Sequence, residues 1–139
     1  MTTADLAGVL SGWMEGRMSV PKRAAVVVVV ESPYAGDVPG NVEYARAAVR
    51  DCILRGEAPF ASHLLYTQPG VLRDDVPEER ELGIEAGFAF RASATRTVVY
   101  TDRGVTRGMT AGVAHSKAAG CPVEYRSLTG WASNPKETL

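Results

Sequence analysis

Three short stretches hold most of the residues able to do chemistry in this 139-residue chain. The first, Glu31-Ser32-Pro33-Tyr34-Ala35-Gly36-Asp37, begins where a run of five valines ends. A carboxyl at the end of so apolar a strand loses water, which penalises the charged form and raises its pKa. Ser32 and Tyr34 bring hydroxyl donors suited to phosphate or sugar oxygens. The second stretch, Ser62-His63-Leu64-Leu65-Tyr66-Thr67-Gln68-Pro69, presents His63 directly after a short strand, pointing into a crevice. No second histidine lies near it, so metal pairing is not expected. The third, Asp102-Arg103-Gly104-Val105-Thr106-Arg107-Gly108-Met109, places Asp102 at the end of another apolar strand, with its carboxylate aimed at the crevice. Thr106 suits a helix N-cap, and Gly108 lets a ligand approach the backbone. Arg103 and Arg107 are suited to holding a phosphate bidentately. Glu85 is a further candidate, flanked by Leu82, Ile84, Ala86, Gly87 and Phe88, where a carboxylate would be partly desolvated. Asp102, Glu85 and Glu31 are therefore the candidate acid–base carboxylates. The bland alternative makes Pro33, Gly36 and Pro39 turn formers, Asn41 a helix N-cap and the arginines solvated. His115 is expected as a surface or packing residue.

The elements that must position these residues alternate. Residues 24–31 form a continuous β-branched run, the pattern of a strand buried on both faces. Residues 41–55 carry Val42, Ala45, Val49, Cys52 and Ile53 on one helical face, with Gly56 as the stop. A short strand is expected over 58–62 and a loop over 63–76. A helix over 77–93 is opened by Pro77, with Glu78 and Glu79 at the positive end of its dipole. A strand over 95–101, a helix over 106–119 and a last strand over 122–125 follow. Gly83 and Gly87, four apart, offer a smooth face for another helix, such as a second subunit's. Such alternation implies a parallel sheet with right-handed crossovers and helices on both faces. Ligands in such folds lie beyond the carboxyl ends of the strands, which is where the three stretches fall.

The expected organisation is an N-terminal helical appendage over 1–23, carrying Trp13, an α/β domain over 24–126 and a tail over 127–139. The charges, 15 basic against 16 acidic, are mixed and sum to −1. A polymeric nucleic-acid or membrane partner is therefore not expected. The longest apolar run is far short of the ~20 residues that span a bilayer. The two cysteines, Cys52 and Cys121, form no ligand spacing and read as buried residues of a reducing compartment. The chain is read as cytoplasmic.

The order of apolar strand, Ser32-Pro33-Tyr34, Asn41-led helix and VVYTDRGVTRGM resembles the nucleoside 2-deoxyribosyltransferase-like superfamily. The likeness runs from about Ala25 to Arg126, and segments such as APFASHLLYTQPG, ERELGIEAG and GCPVEYR are similar to phage and actinobacterial members. It implies a flavodoxin-like three-layer α/β fold with a small, mainly parallel sheet. It also implies cleavage of the N-glycosidic bond of a nucleoside or nucleotide, without a cofactor, by a homo-oligomer whose subunits complete each other's sites. Under the resemblance Ser32, Pro33 and Tyr34 line the sugar site, and Gly108 and Met109 open the catalytic helix. The family's nucleophilic glutamate, however, falls on Gly112. Substrate contacts are then expected from Ser32, Pro33, Tyr34, Asn41, His63, Thr106, Arg107, Gly108 and Met109, with Asp102, Glu85 or Glu31 as the working carboxylate. The alternative is a nucleotide-binding protein without catalysis, a sensor or a sponge.

Overall fold

The computed structural model describes residues 26–131; the expected N-terminal helix and residues 132–139 lie outside them. Strands β1 (Val27–Glu31), β2 (Ala58–Phe60), β3 (Arg96–Tyr100) and β4 (Val123–Arg126) form one parallel sheet in the order β2-β1-β3-β4. Helices α1 (Val38–Leu54), α2 (Ser62–Leu65), α3 (Pro77–Ala89) and α4 (Arg107–Ala118) connect them, and a 3-10 turn at Phe90–Ala92 extends α3. This is the α/β, flavodoxin-like arrangement expected from the sequence. No helix among the described residues is long and apolar enough to cross a membrane.

Side chains along a strand alternate between faces, so the valine run splits in two. Val28 and Val30 join Tyr44, Ala48, Cys52, Val98 and Tyr100 in the core beneath α1. Val29 and Glu31 face the other side, where α3 and α4 stand. The second core, Val99, Met109 and Val113, seats α4 on the sheet. Each such valine contributes roughly 1.5–3 kcal/mol on burial.

Local corrections have local causes. Helix α1 starts at Val38, earlier than expected, because the Asp37 side chain accepts from the Gly40 amide at 3.3 Å and Pro39 is tolerated in a first turn. Asn41 is therefore not the N-cap. It is buried inside the helix, and its amide donates to the carbonyls of Tyr34 and Ala35 at 3.0 and 3.2 Å, pinning the first loop. The short strand ends at Phe60, and residues expected as loop form α2. Thr106 does cap α4, accepting from the Met109 amide at 3.3 Å. Both cysteines are buried and free. The start of the tail, which has little sequence pattern, packs on the α1-side core through Leu128 and Trp131, the latter edge-on to Tyr44 at 4.9 Å.

Candidate functional site

Strand order reverses between β1 and β3, so the loops that leave their carboxyl ends diverge and open a crevice. A cavity of about 470 Å³ fills this position. Val29 and Glu31 of β1 lie under it, α3 supplies Gly83, Gly87 and Phe88, and α4 supplies Gly108, Ala111 and Gly112. Tyr34, His63, Tyr66, Arg91, Thr106 and Arg107 also line it.

Glu31 is buried beside Arg91, whose guanidinium Nη2 donates to its Oε1. Burial pushes the Glu31 carboxyl up to about 7, with Arg91 pulling in the opposite sense. Arg91 itself is held from behind: its Nε donates to Ser116 Oγ at 2.7 Å, and its guanidinium lies 4.9 Å from the Phe88 ring centroid. Ser116 in turn donates to the Gly112 carbonyl at 2.9 Å and meets Thr97 Oγ1 at 2.8 Å. An ion pair with one wall so occupied and one face on a cavity is a reacting-group arrangement as readily as a structural one.

Gly112 makes room for the pair. A Cβ there would lie 2.6 Å from Glu31 Cδ and 2.8 Å from Arg91 Nη2. The space that a side chain on Gly112 would need is thus filled by a carboxylate from β1. Gly83 and Gly87 are explained the same way: a Cβ at each would touch Leu72 at 3.2 Å and Ser62 at 3.3 Å. Their smooth face receives α2 and the following loop of the same chain.

Tyr34 and His63 stack at 5.0 Å with rings 17° apart, a flat aromatic wall. Burial holds His63 below the usual imidazole pKa. His115 stacks on Phe88 at 4.0 Å, a packing role. Arg107 and Gly108, in the first turn of α4, line the cavity where the helix N-terminus favours an anion.

The remaining expected residues lie elsewhere. Asp102 does not line the cavity. Its Oδ2 accepts from Tyr44 Oη at 2.6 Å and from the Leu128 amide at 2.9 Å, and its own amide donates back to Tyr44 Oη at 2.8 Å. It clamps α1, β3 and the tail together. Tyr44→Phe should accordingly lower the unfolding free energy by about 1–3 kcal/mol in urea titrations. An unchanged midpoint would remove the clamp. Glu85 is exposed, because α3 turns Gly83 and Gly87 inward and a residue midway between them points away. Ser32 and Pro33 are buried without lining the cavity, and Met109 sits in the core beneath it. Arg103 bonds Asn41 Oδ1 at 2.9 Å and Asp37 Oδ2 at 3.2 Å, bracing the first loop outside the cavity. Sequence reading missed Arg91, although a cation flanked by Phe88, Ala89, Phe90 and Ala92 is itself a sign of burial with a partner.

No curated protein matches the chain. Among solved structures, it resembles a 2-deoxyribosyltransferase from the psychrotolerant bacterium Bacillus psychrosaccharolyticus, described as a biocatalyst for synthesis of antiviral and antitumoral nucleosides. The TM-score is 0.54 at 20% identity, over 80% of this chain and 79% of the other, so the two share a fold. Residues 26–126 match the family described as Domain of unknown function DUF7768, and with most of its length covered the chain belongs to that family.

Proposed function

We propose that the cavity binds a nucleoside or nucleotide and that Glu31 works on its N-glycosidic bond. The observation that carries this reading is Glu31 itself, a buried carboxylate at the strand switch point, occupying the space that a side chain on Gly112 would need. The stacked Tyr34 and His63 rings offer a face for a base. Arg107 and the α4 N-terminus suit a phosphate or sugar oxygen. Ionised Glu31 then either attacks the anomeric carbon, forming a glycosyl ester while the base departs with the bonding pair, or takes a proton from an attacking water. Both routes need the carboxylate form. The other candidates fit less well: Asp102 is engaged by Tyr44 and Leu128, and Glu85 faces solvent. The fold shared with a 2-deoxyribosyltransferase supports the substrate class. Assembly into a homo-oligomer in the cytoplasm belongs to the same proposal.

A second reading has its own support. Arg91 neutralises Glu31, and a paired carboxylate is a weaker nucleophile, which favours a binder that senses or sequesters nucleotides. Purified protein incubated with a panel of nucleosides and nucleotides, scored for free base and for melting temperature, separates the two. Released base establishes the enzyme. Intact ligands that raise the melting temperature make it a binder, since a ligand at 100 times its Kd stabilises by about 2.7 kcal/mol. Tyr34→Ala should lower affinity for either by roughly 1–3 kcal/mol if a base stacks there. Neither base release nor a thermal shift would sink both readings.

A further inference from the structure

We infer that Arg91 is a positioning residue: locked by Ser116 and the Phe88 ring, it holds Oε1 of Glu31 and leaves Oε2 as the oxygen that meets the ligand. This rests on the proposed role of Glu31 in the cavity.

The geometry runs from the back of the site forward. Arg91 is 3% exposed, far below what a guanidinium accepts without partners. Its Nε is fixed to Ser116, whose hydroxyl is itself tied to the Gly112 carbonyl and Thr97, so the hydrogen-bond chain begins in α4 and β3. The Phe88 face adds a cation–π contact that resists rotation of the guanidinium plane. From this anchored group Nη2 reaches Glu31 Oε1. Oε2 has no partner among the described residues, and Glu31 lines the cavity. A flexible glutamate on a strand end is thereby given one orientation, as a reacting group needs. The charged or titratable groups that line the same cavity from the other elements are Tyr34, His63, Tyr66, Asp74, Glu79, Arg80 and Arg107. Asp74 is paired with Arg80 at 3.8 Å, and Glu79 accepts the Arg73 amide at 3.3 Å. Among the described residues, Arg91 is the cation in contact with Glu31.

The test is a carbon-13 NMR titration of the Glu31 side-chain carboxyl, assigned by its loss in Glu31→Gln, in wild type, Arg91→Lys, Arg91→Met and Ser116→Ala. Removal of an adjacent cation should move the midpoint up by about one unit or more in Arg91→Met. Arg91→Lys should stay near wild type. Ser116→Ala, which keeps the cation but unlocks it, should shift the midpoint upward by less. The pH profile of base release should move with the carboxyl midpoint. A folded Arg91→Met protein with the wild-type midpoint overturns the inference. If Arg91→Met does not fold, a wild-type midpoint in Ser116→Ala overturns it. A wild type that releases no base from any nucleoside sinks the catalytic reading instead, while the titration still decides whether Arg91 controls Glu31.

Discussion

Glu31→Gln is expected to reduce release of base by at least about 10²-fold while leaving the fold and the ligand-induced rise in melting temperature in place. Glutamine keeps the shape, and its side-chain oxygen still accepts from Arg91, so the cavity persists. What disappears is the negative charge that both proposed routes need at the anomeric carbon. The dependence on pH has a definite sign. Burial holds the folded-state pKa of Glu31 at about 7, above the ordinary 4.5. The working form is ionised, so base release should rise as pH passes through about 7 and level off above it. Stability runs the other way. The native state binds this proton more tightly than the unfolded chain, so between 4.5 and about 7 the contribution of Glu31 to stability falls as pH rises. In Glu31→Gln that part of the stability–pH curve should flatten. Undiminished base release from the Gln variant would remove Glu31 from the chemistry.

Gly112→Ala should destabilise the protein by roughly 1–3 kcal/mol, against the usual preference for alanine in a helix. Helix propensity alone would favour alanine by about 1 kcal/mol. The added Cβ, however, lands 2.6 Å from Glu31 Cδ and 2.8 Å from Arg91 Nη2. Both contacts are the ends of long side chains, which ordinarily swing aside. Here they are buried and bonded to each other, and Arg91 is also fixed to Ser116. Relief of the clash therefore costs the ion pair, and a buried charge left without its partner is expensive. In Glu31→Ala/Gly112→Ala the clash with the carboxylate is gone, so the two losses should fall short of additive by about 0.5–3 kcal/mol. Urea unfolding of the four proteins in that cycle measures it. Additive losses would mean that the two residues do not compete for this space.

Much of the architecture was legible because its causes are local. A β-branched run makes a strand buried on both faces, Pro77 opens a helix, and Thr106 caps one. The helix at Val38 was misplaced through a local competition, in which the Asp37 side chain outbid Asn41 for the cap. Alternation of strands and helices then places the crevice at the strand ends.

Which candidate carboxylate meets the cavity was not legible in the same way. Glu31 and Asp102 both follow apolar strands, and nothing in the valine run says which face a given position takes, because a strand buried on both sides carries no alternation. The pairing of β1 between β2 and β3 turns Glu31 toward α3 and α4, while Asp102 is taken up by Tyr44 from α1. Arg91 lies 60 positions from Glu31, and only the packing of the turn after α3 against β1 and α4 brings them together. Gly83, Gly87 and Gly112 announce close approach in the sequence without saying of what. The sequence by itself determined most of the elements, their alternation and the candidate carboxylates, since these follow from propensity and periodicity over a few residues. Tertiary structure alone decided which of the three candidate carboxylates meets the cavity and which cation holds it, since face and partner are set by contacts between segments far apart in the chain.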